Sequence, residues 1–187
     1  MLLGMFCLSA GCRRDDQIQT YRIPKENVPA MPMERAAPEA RPHDITWTTP
    51  SGWKEQAPSS FRVGSFTLTG VNGQSADVSV IPLSGQAGGD LANINRWRGQ
   101  INLSPLTQAD LPKESRSISP HGQPMLLVDF LSTERLIDNK FKKRLIAAIY
   151  KQGDRSWFFK MAGEEATVEA AKPVFLKFLE SVRFHHE

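Results

Sequence analysis

The sequence predicts an α+β domain in which an antiparallel sheet of about five to seven strands is covered by helices. Three observations indicate this class. Alternating apolar runs flank Asn72-Gly73, a dipeptide typical of hairpin turns. Two further pairs of strand-like runs flank short turns at 120–122 and 152–154. Near the C-terminus, apolar residues recur at spacings of three and four, which is the period of a helix packed on one face.

The strands follow from these runs in chain order. A short strand is expected at 45–48, before the turn "PSG". In the first hairpin, Phe66 is expected to face Val78 across the two strands. The runs "RSIS" and "PMLLVDFLST" predict a second hairpin, and "KRLIAAIYK" and "RSWFFKMAG" predict a third.

The first helix is predicted over 91–101, after a glycine-rich stretch. Asp90 stands where an N-cap residue is expected. Helical spacing predicts a core face that consists of Leu91, Ile94 and Ile101. Trp97 is expected at the margin of that face.

The second helix is predicted near the C-terminus, and a short closing strand at 183–184 follows it. Its core face is expected to hold Val168, Ala171, Phe175, Phe178, Leu179 and Val182. Pro173 interrupts this pattern and is expected to kink or restart the helix, because proline removes a backbone donor.

The first twelve residues, "MLLGMFCLSAGC", have the form of an exported leader. They resemble the lipobox of bacterial lipoproteins, in which the cysteine is acylated and becomes the mature N-terminus. This resemblance implies lipidation at Cys12 and a place in the bacterial cell envelope, exposed to the periplasm or the cell exterior. A cleaved signal peptide without lipid and a short buried helix remain alternatives. The apolar run is too short to span a bilayer, which needs about 20 residues.

Residues 13–43 are polar and contain five prolines, which predicts a disordered linker. A proline-rich ligand for a peptide-binding module is the alternative. The folded domain is expected over 44–187. Both cysteines, Cys7 and Cys12, precede the linker, so this domain can hold no disulfide and no cysteine nucleophile.

Two stretches resemble the PsbP-like superfamily: the turn "PSGW" and the ending "WFFKMAGEEATVEAAKPVFLKFLESVRF". In that superfamily a strand and a small-residue turn precede a helix whose pattern leads into a last strand. The matching positions here are Phe175, Phe178, Leu179, Ser181 and Phe184. The resemblance implies an antiparallel sheet with helices on both faces, the α/β/α sandwich. It implies binding or scaffolding rather than chemistry, and it implies no photosystem role, because the parts by which the photosynthetic members act have no match.

A polar group on the first helix is the main candidate for a binding site. It consists of Asn93, Asn95, Arg96, Trp97 and Arg98. Arginine and tryptophan are the residues that most often anchor interfaces. The alternative is an ordinary solvated helix face. The preceding glycines could also bind phosphate, but they lack the P-loop and dinucleotide spacings, and the Asp90 carboxylate would repel an anion.

Asp129 is the other candidate. It shares a strand face with Met125, Leu127 and Leu131, so partial burial is expected. A buried carboxylate requires a partner or shifts its pKa upward. We expect a structural ion pair with Arg116 across the hairpin, and the alternative is a general acid.

Composition excludes several other classes of protein. A net charge of +3 is too small for a polycation built to bind nucleic acid. The four histidines do not converge in the sequence, so no metal site and no cofactor are expected. The run "NKFKKR" at 139–144 is a basic shoulder that could contact anionic lipid or an acidic partner.

We therefore expect a non-enzymatic envelope lipoprotein whose tethered domain binds a protein partner. The alternative is a small-molecule-binding or hydrolytic domain, with a cleft near Asp129 and either Arg96 or Arg98. That alternative requires these side chains to lie within a few ångströms of one another.

Overall fold

A computed structural model describes residues 45–70, 73–85 and 87–185. The predicted leader, Cys12, the linker, His43, Asn72 and His186 lie outside the described residues. The elements, in chain order, are β1 (Ile45–Thr46), β2 (Lys54–Glu55), β3 (Gly64–Thr69), β4 (Ser75–Ser84), α1 (Gly89–Gly99), α2 (Leu111–Glu114), β5 (Ser115–Ile118), β6 (Met125–Ile137), β7 (Phe141–Gln152), β8 (Arg155–Glu164), α3 (Glu165–Ser181) and β9 (Arg183–Phe184).

Seven strands form one antiparallel sheet in the order β2-β3-β4-β8-β7-β6-β5. The three predicted hairpins are β3–β4, β5–β6 and β7–β8, and Phe66 lies opposite Val78 as expected. α3 packs on one face of the sheet and α1 on the other. The fold class, an antiparallel sheet with helices on both faces, is therefore confirmed.

The larger core lies between the sheet and α3. Its centre is Phe178, whose ring lies 5.3 to 6.4 Å from those of Trp47, Trp53, Phe66, Phe159 and Phe175. Aromatic pairs in tilted or edge-to-face contact stabilise a core beyond the area that they bury. All six residues predicted for the core face of this helix are buried.

The smaller core lies between the sheet and α1. Ile94, Trp97 and Ile101 pack against β6, β7 and β8, and Leu91 is only partly buried. Trp97 is 6% exposed, and its ring meets that of Phe158 edge to face at 5.7 Å. The prediction that Trp97 lies at the margin is wrong, because its indole packs inside the smaller core between α1 and the sheet.

The predicted cap of α1 is also wrong. The N-cap is Gly88, in the left-handed conformation at φ 80°, and Asp90 lies inside the first turn. Its carboxylate accepts a hydrogen bond from Lys151 Nζ at 2.8 Å instead of capping the helix. Glycine takes this backbone conformation without strain, and the helix starts two residues earlier than a side-chain cap at Asp90 would place it.

The ends of the domain pair with each other. β1 and β9 form a two-stranded ribbon in which Ile45 lies opposite Phe184. Both residues are buried in the larger core, so the predicted closing strand is confirmed. α3 continues through Pro173 as one helix from Glu165 to Ser181. None of the helices in the described ranges is long and apolar enough to cross a membrane.

Candidate functional site

Asn93 is an internal residue of the fold and not part of a surface. It is 2% exposed, and its amide nitrogen donates to the carbonyl oxygens of Ala87 and Gly89 at 2.7 and 2.8 Å. Its side-chain oxygen accepts a hydrogen bond from Arg96 Nη1 at 2.9 Å. The expectation that Asn93 contacts a partner is wrong, because its side chain connects α1 to the glycine-rich loop.

Asn95 has a similar role after the helix. Its amide nitrogen donates to the Leu106 carbonyl at 3.0 Å, and its oxygen accepts from the Leu106 amide at 2.7 Å. Arg98 donates from Nε to the Ser104 carbonyl at 2.7 Å, and its guanidinium lies 4.8 Å from the centre of the Phe130 ring. Among the five residues proposed on this helix, Arg96 alone is classed as exposed.

Asp129 lies on the α3 side of the sheet and is half-buried, as its strand face predicts. Its two oxygens accept hydrogen bonds from Arg144 at 2.8 and 2.9 Å, and Lys172 Nζ of α3 lies 2.7 Å from Oδ2. Burial works to raise the pKa of Asp129, but the hydrogen bonds and charges of Arg144 and Lys172 outweigh it and hold the pKa below its ordinary value of 3.8.

The structural ion pair of Asp129 is confirmed, but its predicted partner is wrong. Arg116 of β5 lies opposite Leu127, whereas Arg144 of β7 lies opposite Leu131, the next residue on the Asp129 face of β6. A long side chain can reach a residue that lies diagonally opposite it on the adjacent strand. Both arginines are diagonal to Asp129 on the α3 face, so strand position alone could not decide which of them pairs with it.

The cleft required by the hydrolytic alternative is not formed by the residues named for it. Asp129 faces α3 and pairs with Lys172, whereas Arg98 covers Phe130, which points to the opposite face of the sheet. Arg96 belongs to α1, on that same opposite face. The sheet thus separates the carboxylate from both arginines.

A second polar cluster lies on the α1 side of the sheet, beside the smaller core. In β3, β4 and β8, every second residue belongs to the larger core on the α3 side. The residues between them point to the α1 side, and several of these are polar. We call this cluster the polar face. It consists of Arg62, Ser65, Asp77, Ser79, Gln100 and Lys160.

Two interactions organise the polar face. Arg62 Nη1 lies 2.8 Å from Asp77 Oδ1 and donates to Ser65 Oγ at 3.3 Å. Lys160 Nζ donates to the side-chain oxygen of Gln100, at the C-terminal end of α1, at 3.0 Å. A lysine next to the last turn of a helix also meets the negative end of the helix dipole. The polar face therefore bridges the helix and the strands.

Ser79 is the unusual member of the polar face. It is 0% exposed, and its hydroxyl has no hydrogen-bond partner within the described ranges. A buried hydroxyl without a partner costs about 1–3 kcal/mol. In contrast, the equally buried Ser132 donates to the Glu134 carbonyl at 2.6 Å and accepts from the Lys143 amide at 2.9 Å.

The electrostatics of the polar face favour an anion. Burial lowers the pKa of Lys160 from its ordinary value, the charge of Arg62 lowers it further, Asp77 opposes this shift, and Lys143 adds to it. A cation in such surroundings gains from a negative ligand, because the ligand supplies the interaction that burial has removed. Chemically, this arrangement can bind and orient an acidic group.

The comparisons with known proteins give similarity in fold at low identity. No protein-family model matches the sequence, and no curated protein matches it significantly. A solved structure from Bacteroides thetaiotaomicron is 12% identical with a TM-score of 0.45, over 76% of this chain and 46% of the other. This chain thus spans less than half of that protein.

Two further similar structures have more informative names. Cyanobacterial PsbP from Synechocystis is 13% identical with a TM-score of 0.46, over 76% of this chain and 87% of the other. LpqN of Mycobacterium tuberculosis, described as involved in cell envelope biogenesis, is 12% identical with a TM-score of 0.41, over 73% and 78%. A PsbP structure is thus among the similar structures, in line with the resemblance in sequence. Similarity at this level transfers no function.

The described residues contain no group of three or more histidine, cysteine, aspartate or glutamate side chains placed to hold a metal ion. Sequence reasoning did not identify the polar face. Its signal was present as Lys160 within the apolar run "WFFKMAG" and as serines alternating with apolar residues in "ADVSVIPL". Such serines are normally assigned to a solvated strand face, and only the packing shows that Ser79 is buried.

Proposed function

We propose that this chain is a lipid-anchored protein of the bacterial cell envelope whose folded domain binds another protein and catalyses no reaction. The observation that carries the binding role is the polar face, where Lys160 and Arg62 lie on the same side of the sheet as a buried hydroxyl that has no partner among the described residues. The leader with Gly11-Cys12 and the proline-containing linker support the anchored location.

The polar face is better placed for binding than the residues first considered on α1. Asn93, Asn95 and Trp97 are occupied by contacts within the domain, and Asp129 is occupied by Arg144 and Lys172. On the polar face, the side chain of Asp77 is 46% exposed and that of Arg62 is 33% exposed. A partner can therefore reach charged groups there without breaking the core.

Site-specific photo-crosslinking of the full chain in cells tests this proposal. A photoreactive amino acid replaces Thr67, which is half-buried on β3 directly opposite Asp77 of the polar face. The matched control replaces Lys177, which is exposed on α3 at the other face of the sheet. We expect a discrete crosslinked protein from position 67 and none from position 177.

Two results would contradict the proposal. The first is the absence of any crosslinked protein at position 67 when the anchored chain is expressed at its natural level. The second is turnover of a substrate by the purified chain, which would contradict the non-enzymatic role even if a partner were found.

A further inference from the structure

Ser79 and Lys160 are direct neighbours on the polar face. The two residues are paired in the register between β4 and β8. Side chains opposite each other in an antiparallel pair have their Cβ atoms about 4.5–5.5 Å apart and point to the same side. The Ser79 hydroxyl, which has no partner among the described residues, therefore lies beside the stem of Lys160.

The charges of this position are not balanced. Arg62 is paired with Asp77, whereas the hydrogen bond of Lys160 goes to the neutral amide of Gln100. Within the described part of the chain, Lys160 forms no ion pair. Burial, which disfavours the charged form, is the main cause that lowers its pKa. One positive charge thus remains for a ligand to meet.

α1 adds a second cation next to this position. Arg96 lies four residues before Gln100, which places the two side chains on the same side of the helix one turn apart. Arg96 is exposed, and its guanidinium donates a hydrogen bond to Asn93. A ligand on Lys160 that extends along the helix would therefore meet Arg96 next.

The local charge favours a carboxylate over a phosphate. Arg62, Lys160 and Lys143 outnumber the single carboxylate of Asp77 at this position, so the local charge is positive and attracts an acidic group. A phosphate would bring up to two negative charges beside the Asp77 carboxylate, which is 46% exposed. Repulsion from Asp77 thus selects against the more highly charged ligand.

We infer that the polar face binds an acidic segment of a partner protein, with one carboxylate bound by Lys160 and a following one near Arg96. This inference rests on the proposed function, since it names the chemistry of the partner that the polar face binds. Charge complementarity carries it, because the Lys160 ammonium and the Arg96 guanidinium can both donate charge-assisted hydrogen bonds to carboxylate oxygens.

Nuclear magnetic resonance titration of the full chain carrying Cys12→Ser tests the inference. The probes are a six-residue peptide of alternating glutamate and glycine, the same peptide with glutamine in place of glutamate, sodium acetate and inorganic phosphate. We expect the glutamate peptide to shift the signals of Ser79, Gln100 and Lys160 and to raise the pKa of Lys160. The glutamine peptide should leave these signals unchanged.

Variants make the test specific. Lys160→Met keeps the apolar stem and removes the charge, and we expect it to weaken peptide binding about tenfold or more. Lys177→Met, on the other face of the sheet, is the matched control and should bind normally. Arg96→Gln, at an exposed position of α1, provides a second variant, and it should weaken binding by a smaller factor.

Several outcomes would overturn the inference. Equal binding of the glutamine peptide, normal binding by Lys160→Met or tighter binding of phosphate would each exclude a carboxylate site at Lys160. Acetate binding as tight as the peptide would indicate a free small acid and not a protein segment. If a partner crosslinks at position 67 but the peptide does not bind, the inference fails and the proposed function stands.

Discussion

Asn93 and Asn95 connect the two ends of α1 to the loops that flank it. Asn93 donates to carbonyl oxygens at the start of α1, and Asn95 both donates to and accepts from the backbone of Leu106 in the loop after the helix. Buried polar groups in proteins are almost always hydrogen-bonded, so both asparagines follow the rule. Ser79 departs from it, and this departure is what makes the polar face notable.

Two buried serines should respond in opposite ways to removal of the hydroxyl. Ser79→Ala is expected to raise the free energy of unfolding by about 1 kcal/mol, because it deletes a buried hydroxyl that has no partner among the described residues. Ser132→Ala is the matched control and should lower it by about 1–2 kcal/mol, because it leaves the Lys143 amide and the Glu134 carbonyl without the serine. Urea unfolding of the two variants beside the parent chain measures both.

A decrease in stability for Ser79→Ala would mean that the hydroxyl has a stabilising partner. The polar face would then lose its main sign of a binding role. A gain in stability would show instead that the chain keeps this hydroxyl at a cost in stability.

At the scale of elements, two carboxylates hold α3 to the sheet. Asp129 of β6 pairs with Lys172 of α3, and Arg144 also contacts Glu169 of the same helix. Glu164 caps the helix and accepts hydrogen bonds from Ala166 N and Thr167 N at 2.9 and 2.8 Å. Burial works to raise the pKa of Glu164, but these hydrogen bonds and that of the Thr167 hydroxyl hold the pKa below its ordinary value.

Stability should therefore fall in acid. A carboxyl group whose pKa is lower in the folded state contributes stability above its ordinary pKa, and this contribution is lost as the pH falls through the folded value. For Asp129 the ordinary value is 3.8, so the loss is expected below about pH 5. Asp129→Asn should lower the free energy of unfolding by about 1–2 kcal/mol at pH 7 and by less at pH 3.

Urea unfolding at the two pH values measures this difference. Asp154→Asn is the control, because Asp154 is exposed in the turn between β7 and β8. The same loss at pH 7 and pH 3 for Asp129→Asn would show that the carboxylate contributes through packing and not through its charge.

At the scale of the whole molecule, the sheet separates two kinds of surface. α3 and the β1–β9 ribbon cover the larger core, while α1 covers only part of the other face and leaves the polar face beside it. The predicted leader and linker precede this domain in the sequence. In the proposed arrangement, the linker holds the domain away from the membrane so that the polar face can reach a partner.

The anchor is tested by metabolic labelling with a fatty-acid analogue. We expect the full chain to incorporate the label and to fractionate with membranes, because the resemblance to a lipobox implies acylation of Cys12. Cys12→Ala should take up no label and leave the membrane fraction, while Cys7→Ala, the control, should be labelled normally. Label retained by Cys12→Ala would refute the lipid anchor.

Much of the fold could be predicted because its signals are local. The three hairpins, the core face of α3 and the closing strand each follow from alternation or helical spacing within one segment. The site could not be predicted in this way. Asn93, Asn95 and Trp97 were assigned to a surface by residue type, and the packing of α1 decided otherwise.

The sequence by itself determined the strand runs, the two main helices, the absence of thiols after Cys12 and the leader-like start. Only the tertiary structure decided that Arg144 and not Arg116 pairs with Asp129, and that Ser79, Lys160 and Arg62 share one face. The physical reason is that periodicity reports which residues point the same way within one element. Which element packs on them, and so which polar groups lose water or gain a partner, depends on contacts between segments far apart in the chain.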